Sequence, residues 1–131
     1  MVWQKDLQLQ RRLDEIVKKL NLFHVNAKQV FVFRSFGSKS RAQARIWGLP
    51  RIWQQALNKK PGYCLEVISE KFDRLDEISQ TKVLIHELMH IPKNFSGSLL
   101  AHRGRFGQIN ARTVEELYNR LNNQYVNHSR R

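Results

Sequence analysis

Only one cysteine, Cys64, occurs in the 131 residues. An intrachain disulfide framework and a cysteine-built zinc finger are both excluded. A reducing compartment, the cytoplasm, is the expectation that follows. Glycine (6) and proline (3) are scarce, which excludes a collagen-like or linker-like chain. Long apolar runs are missing. Val83-Leu84-Ile85 falls far short of the ~20 residues a membrane-spanning helix needs, and Met1-Val2-Trp3-Gln4-Lys5-Asp6 lacks the apolar core of a signal peptide. No membrane partner is expected. Acid is missing over a long stretch as well: between Glu15 and Glu66 there is no Asp or Glu, while Lys18, Lys19, Lys28, Arg34, Lys39, Arg41, Arg45, Arg51, Lys59 and Lys60 all fall there.

What is present suits a soluble globular chain. Hydrophobic residues make up 41% and charged residues 26%, so intrinsic disorder is excluded as a description of the whole, and one domain over residues 1–131 is expected. The net charge is +12 and the isoelectric point is about 10.5. Such a field draws in polyanions. Two readings stand side by side: non-specific nucleic-acid contact through Arg34, Lys39, Arg41, Arg45 and Arg51, or a basic surface that is merely solvated. Phe31, Phe33, Trp47 and Trp53 lie among these cations. They could stack on bases, but at strand and helix spacing their expected place is the core.

Periodicity organises the chain. Residues 4–21 carry Leu7, Leu9, Leu13, Ile16, Val17 and Leu20 at largely helical spacing, with Asn21 as a stop. Residues 24–36 turn β-like at Val30-Phe31-Val32-Phe33. Residues 41–48 alternate Arg41, Gln43, Arg45 and Trp47 against Ala42, Ala44, Ile46 and Gly48, a strand with one basic face. Pro50 opens a short helix over 51–57, and Tyr63 to Ile68 is a third strand. Asp76 caps a helix from Glu77 to about Ile91, which Pro92 stops. Residues 93–110 read as a loop, 111–125 as a last helix, and Asn127 to Arg131 as a frayed tail.

One motif stands out: His86-Glu87-Leu88-Met89-His90. On a helix the two histidines lie about 40° apart and one turn apart along the axis, so both imidazoles can share one metal ion. Glu87 falls about 100° from His86, beside that ion, where a general base must stand. Leu84, Leu88 and Ile91 lie on the far side and can enter a core. Composition alone would produce the five-residue pattern in roughly one such chain in a hundred. Zinc needs a third protein ligand and an open position. The longer metzincin pattern asks for glycine at 93 and histidine at 96; Lys93 and Ser96 stand there, and that branch is excluded. His102, twelve residues past His90, ranks first for the third ligand. Glu115 or Glu116, on the following helix, is the alternative, although Glu116 with Arg120 also makes an ordinary i,i+4 pair.

The run Val83-Leu84-Ile85-His86-Glu87-Leu88-Met89-His90-Ile91-Pro92-Lys93-Asn94-Phe95-Ser96-Gly97, followed by His102, resembles the archaeal and phage-type predicted zinc metallopeptidases. Phe33-Arg34-Ser35, the stretch from Arg45 to Trp53 and the stretch from Glu66 to Asp73 resemble the same family, so that the likeness spans roughly residues 30–107. It implies an α+β fold of the minimal zincin type: a short sheet, mostly antiparallel or mixed, packed on the motif helix, with helices at both ends. It also implies Zn2+ as cofactor, His86, His90 and His102 as its ligands, Glu87 as the base and a peptide or protein as substrate. Pro92 departs from the usual continuation of a zincin motif and shortens the helix. Tyr118, Arg103 and Tyr125 are candidate oxyanion donors, and the strand from Tyr63 to Ile68 is a candidate edge for an extended substrate. Two other functions fit the charge: a basic nucleic-acid-associated zinc module without protease activity, and a protease recruited to nucleic-acid-bound proteins.

Overall fold

The N-terminal residues, expected to start a helix at Gln4, instead form a strand, β1 (Val2–Lys5). The computed structural model describes residues 1–104 and 107–129. Helix α1 (Leu7–Lys19) begins only after Asp6, whose carboxylate accepts from the Leu9 N–H at 3.0 Å. That cap fixes the boundary, because an uncapped first turn leaves its N–H groups orphaned. Asn21 (φ 53°) turns the chain left-handed after α1, as its stop role requires. A 3₁₀ turn (Ala27–Gln29) capped by Asn26 then leads into β2 (Val30–Phe36). β3 (Ala44–Gly48) is shorter than the expected strand, so Arg41 precedes it and does not share a strand face with Arg45. Then follow α2 (Arg51–Leu57), β4 (Tyr63–Ile68) and a one-turn helix, α3 (Ser69–Phe72), that periodicity does not announce.

Helix α4 (Glu77–Met89) carries the histidine motif. Asp76 caps it through the Ser79 N–H at 2.7 Å. The expected loop beyond it contains a small hairpin, β5 (Arg103–Gly104) and β6 (Gly107–Gln108). The last helix, α5 (Ala111–Ser129), runs past the expected end at 125 and through the start of the expected tail; residues 130 and 131 lie outside the described residues.

The fold is α+β. The main sheet has the order β1-β2-β4-β3, with β2 and β4 parallel and the other pairs antiparallel. β4 is therefore an inner strand and cannot serve as a free edge for substrate; the edges are β1 and β3, and β3 is the one next to β4. Val30, Val32, Leu65, Val67 and Ala44 share the buried face. Against it pack Leu9, Leu13 and Ile16 of α1, Leu84 and Leu88 of α4, and Val114 and Leu121 of α5. Each such aliphatic side chain, fully buried, contributes about 1.5–3 kcal/mol. No described helix is long and apolar enough to cross a membrane.

The other face of the sheet is open. Register places Trp3, Phe31, Phe33, Cys64 and Trp47 on it. The core expectation therefore fails for Phe31, Trp47 and also Trp53 on α2, all of which are exposed. Cys64 is half-buried on this open face and is not a core residue.

Candidate metal centre

α4 is held by its apolar side. Leu84, Ile85 and Leu88, with Ile91 just beyond, are at most 2% exposed, and this sets the roll of the helix. His86 and His90 then emerge on one side, ring centroids 5.3 Å apart. Glu87 lies beside them, buried to 8% exposure.

The chain after His90 doubles back. Pro92 ends the helical path, and His90 then clamps the return segment twice. Its backbone carbonyl accepts from the Leu100 N–H at 2.7 Å, and its Nδ1 faces the Leu100 carbonyl at 2.5 Å. A carbonyl can only accept, so Nδ1 carries the proton and Nε2 is left as a free donor of an electron pair. A second contact of this kind is how metal-binding imidazoles are commonly oriented. The loop is also held from the sheet. Tyr63 Oη donates to the Ser98 carbonyl at 2.8 Å and accepts from the Gly97 N–H at 2.9 Å. Gln54 Nε2 donates to the Ser96 and Leu49 carbonyls, both at 2.8 Å. Gly97 has φ 96°, and a Cβ on Gly48 would sit 1.9 Å from the Gly97 carbonyl oxygen. Two glycines are thus required where strand and loop backbones touch.

This return places His102 opposite the motif. Its Nε2 lies 3.1 Å from His86 Nε2, and its ring centroid lies 5.1 Å from that of His86 and 4.6 Å from that of His90. One nitrogen from each of the three rings lies within 4.8 Å of the others, close enough to hold one metal ion. The donor set is all imidazole, which suits a borderline divalent ion. Burial lowers the His86 pKa, and His90 and His102 facing it lower it further. The neutral ring this favours is the form that binds metal. Burial raises the Glu87 carboxyl to about 7, so near neutrality it can both hold and release a proton.

Of the alternative ligands, Glu115 turns to Lys82 (Nζ to Oε2 2.7 Å) and is not among the converging donors. Glu116 pairs with Arg112 at 3.8 Å, not with Arg120, whose guanidinium reaches the Leu20 carbonyl. A cavity of about 970 Å³ opens over the three histidines. The segment Ala42–Ile46, leading into and along the edge strand β3, forms one wall, and Lys82 and Glu115 lie on another side. Lys82 also sits 5.0 Å from the Tyr118 ring. It is the charged cleft residue that sequence reasoning passed over, because a lysine four residues before a histidine looks like any solvated helix position. Arg103 lies on β5, exposed, and the Tyr125 side chain lies outside the described residues.

The five basic candidates do not form one surface. Arg34 projects from the helix-covered face and is engaged by Asp6 at 3.0 Å, Asp73 at 2.5 Å and Ser69 at 3.2 Å. Arg45 binds the buried Glu66 at 2.8 Å. Lys39, Arg41 and Arg51 are exposed.

Comparison with known proteins adds one match. A family model described as "Putative phage metallopeptidase" matches residues 1–109, a span that contains the motif and His102 and ends before Glu115. No curated protein matches the chain, and no solved structure matches it.

Proposed function

The chain belongs to that phage metallopeptidase family, and from this premise we propose that it is a zinc-dependent peptidase acting through His86, His90, His102 and Glu87. The observation that carries the reading is the convergence of three imidazole nitrogens within 4.8 Å next to a buried carboxyl whose pKa lies at about 7. His102 is preferred to Glu115 as third ligand because Glu115 is paired with Lys82. Zinc, when bound to three protein ligands, supplies Lewis acidity and lowers the pKa of a coordinated water toward about 7.

The chain's own residues do the rest. Glu87 accepts the proton of the attacking water on its carboxylate and passes it to the leaving amine. Its burial raises the carboxyl pKa to where both transfers are near balance. His90, locked by Leu100, keeps its ligating nitrogen aimed into the cleft. The β3 edge beside the cleft offers backbone groups to an extended peptide, in place of the inner strand β4. Lys82 stands on the cleft wall with its ammonium paired to Glu115.

We take residues 1–131 as one domain, since α5 shares a core with α1 and α4. The cytoplasm is the compartment that the single free thiol favours. The test is metal analysis of chelator-free protein beside a His86→Ala, His90→Ala double variant. About one zinc per chain, lost in the variant, is expected; unchanged occupancy would overturn the assignment.

A further inference from the structure

The cleft is not the only built surface. On the open face of the sheet, Phe31 on β2 and Trp47 on β3 both stand opposite Cys64 on the strand between them. Two strand spacings separate the rings, about 10 Å, with a small side chain at the floor. Trp3 and Phe33 line a second hollow with Trp47, Cys64 and Glu66. The two hollows have volumes of about 510 and 350 Å³ and share Trp47 and Cys64. Trp3 (51%), Trp47 (49%) and Phe31 (39%) are exposed to solvent, although aromatic rings of this size are ordinarily buried.

Trp47 is held in place, and positive charge surrounds the rings. Trp47 Nε1 donates to Glu66 Oε1 at 3.0 Å. Arg45 Nε donates to the same oxygen at 2.8 Å and lies 4.8 Å from the Trp47 ring. Lys5 lies 6.0 Å from the Phe31 ring, and Lys59 and Lys60 border the larger hollow. Against these four cations stands one carboxylate, Glu66, which is buried and paired. We propose that this face is a platform for single-stranded nucleic acid, the rings stacking on unpaired bases while Lys5, Arg45, Lys59 and Lys60 meet the phosphates. Trp3, Trp47 and Phe31 leave ring surface to solvent, and unpaired bases offer faces to stack on it, whereas a duplex offers edges and backbone. A second copy of the chain is a poor occupant, because each copy carries a net charge of +12 and the cations rim this face.

The platform is independent of the peptidase reading and is tested by binding alone. The probes are a fluorescein-labelled 20-nucleotide oligo-dT and a duplex of the same length, titrated with the full chain at several salt concentrations. Oligo-dT is expected to bind more tightly than duplex, to quench tryptophan fluorescence, and to lose affinity with salt at about 0.7 in log–log slope per phosphate contacted. Phe31→Leu and Trp3→Leu keep apolar bulk and remove the ring; each should weaken oligo-dT about tenfold and leave duplex binding unchanged, and Phe31→Tyr should bind as the parent does. Lys59→Gln with Lys60→Gln should reduce the salt slope, which keeps the test informative if a leucine variant fails to fold. Equal affinity for duplex, leucine variants that bind normally, or no binding at low salt would each overturn the proposal. So would displacement of oligo-dT by poly-glutamate at equal charge concentration, which would make the face a site for acidic protein, or a leucine variant that shifts the sedimentation of a self-associated form.

Discussion

Replacing Glu87 by glutamine separates chemistry from folding. The carboxyl is 8% exposed, and burial raises its pKa from 4.5 to about 7. At 1.36 kcal/mol per pH unit, that displacement is worth about 3 kcal/mol. The sign follows from proton linkage. Below pH 4.5 the group is protonated in both folded and unfolded chains, and it costs nothing. Between 4.5 and 7 the unfolded chain ionises and the native chain does not, so the native state loses stability as pH rises. Above 7 the full cost is present. The metal-free Glu87→Gln variant should therefore unfold like the parent at pH 4.5 and be more stable by about 3 kcal/mol at pH 8. Denaturant unfolding of both chelator-treated proteins at the two pH values reads this directly, and the histidines, common to both, cancel in the difference. The same variant should keep its metal and lose peptide hydrolysis, because an amide cannot accept the proton. A parent and variant of equal stability at pH 8 would refute the buried-carboxyl argument. Loss of metal would make Glu87 a ligand and refute the mechanism.

His102→Ala should lower zinc affinity by at least a hundredfold while Glu115→Gln leaves it within about twofold; competition with a chromogenic chelator compares them, and the reverse order would move the third ligand to α5. Tyr63→Phe removes a hydroxyl that holds both Gly97 and Ser98; leaving those groups unpaired should cost about 1–3 kcal/mol and weaken zinc binding through His102, read by denaturant midpoint and chelator competition together, and unaltered metal affinity would remove Tyr63 from the positioning of the site. Gly48→Ala places a Cβ 1.9 Å from the Gly97 carbonyl oxygen; neither backbone can yield cheaply, so a loss of more than about 2 kcal/mol is expected, and a variant as stable as the parent would show that the contact is not tight.

The parts of the fold that a sequence displays are those whose signal is local. Asp76, the apolar spacing of Leu84 and Leu88, and Pro92 together mark the motif helix, and alternation marks β3 and β4. The failures have one cause, which is distance. β1 is four residues long, and what makes it a strand is Phe33 to Phe36, some thirty residues away; without that partner, Gln4 and Lys5 extend the helical pattern of α1. The inner position of β4 depends on parallel pairing with β2 across a crossover, which no local pattern records. Periodicity likewise assigns Phe31, Phe33 and Trp47 to one face of a sheet but cannot say whether that face is covered. The helices cover the other one, where Arg34 is consumed by Asp6 and Asp73.

The third histidine sits between these cases. Its residue type and its distance from the motif are readable, but its placement is tertiary. Pro92, a departure from a longer motif helix, works in favour of the site: a helix continued past Ile91 would carry the chain away from the cleft. Stopped there, the chain reverses, and Leu100 closes on both the backbone and the ring of His90. These two hydrogen bonds fix His90 and anchor the segment that leads to His102, and the loop between the two histidines is gripped by Tyr63 of β4 and Gln54 of α2. Metal affinity is consequently coupled to the sheet. An ion that binds the folded loop and not the unfolded chain stabilises the fold by mass action, and a substitution that loosens the grip at Tyr63 or Gln54 weakens ion binding without touching an imidazole.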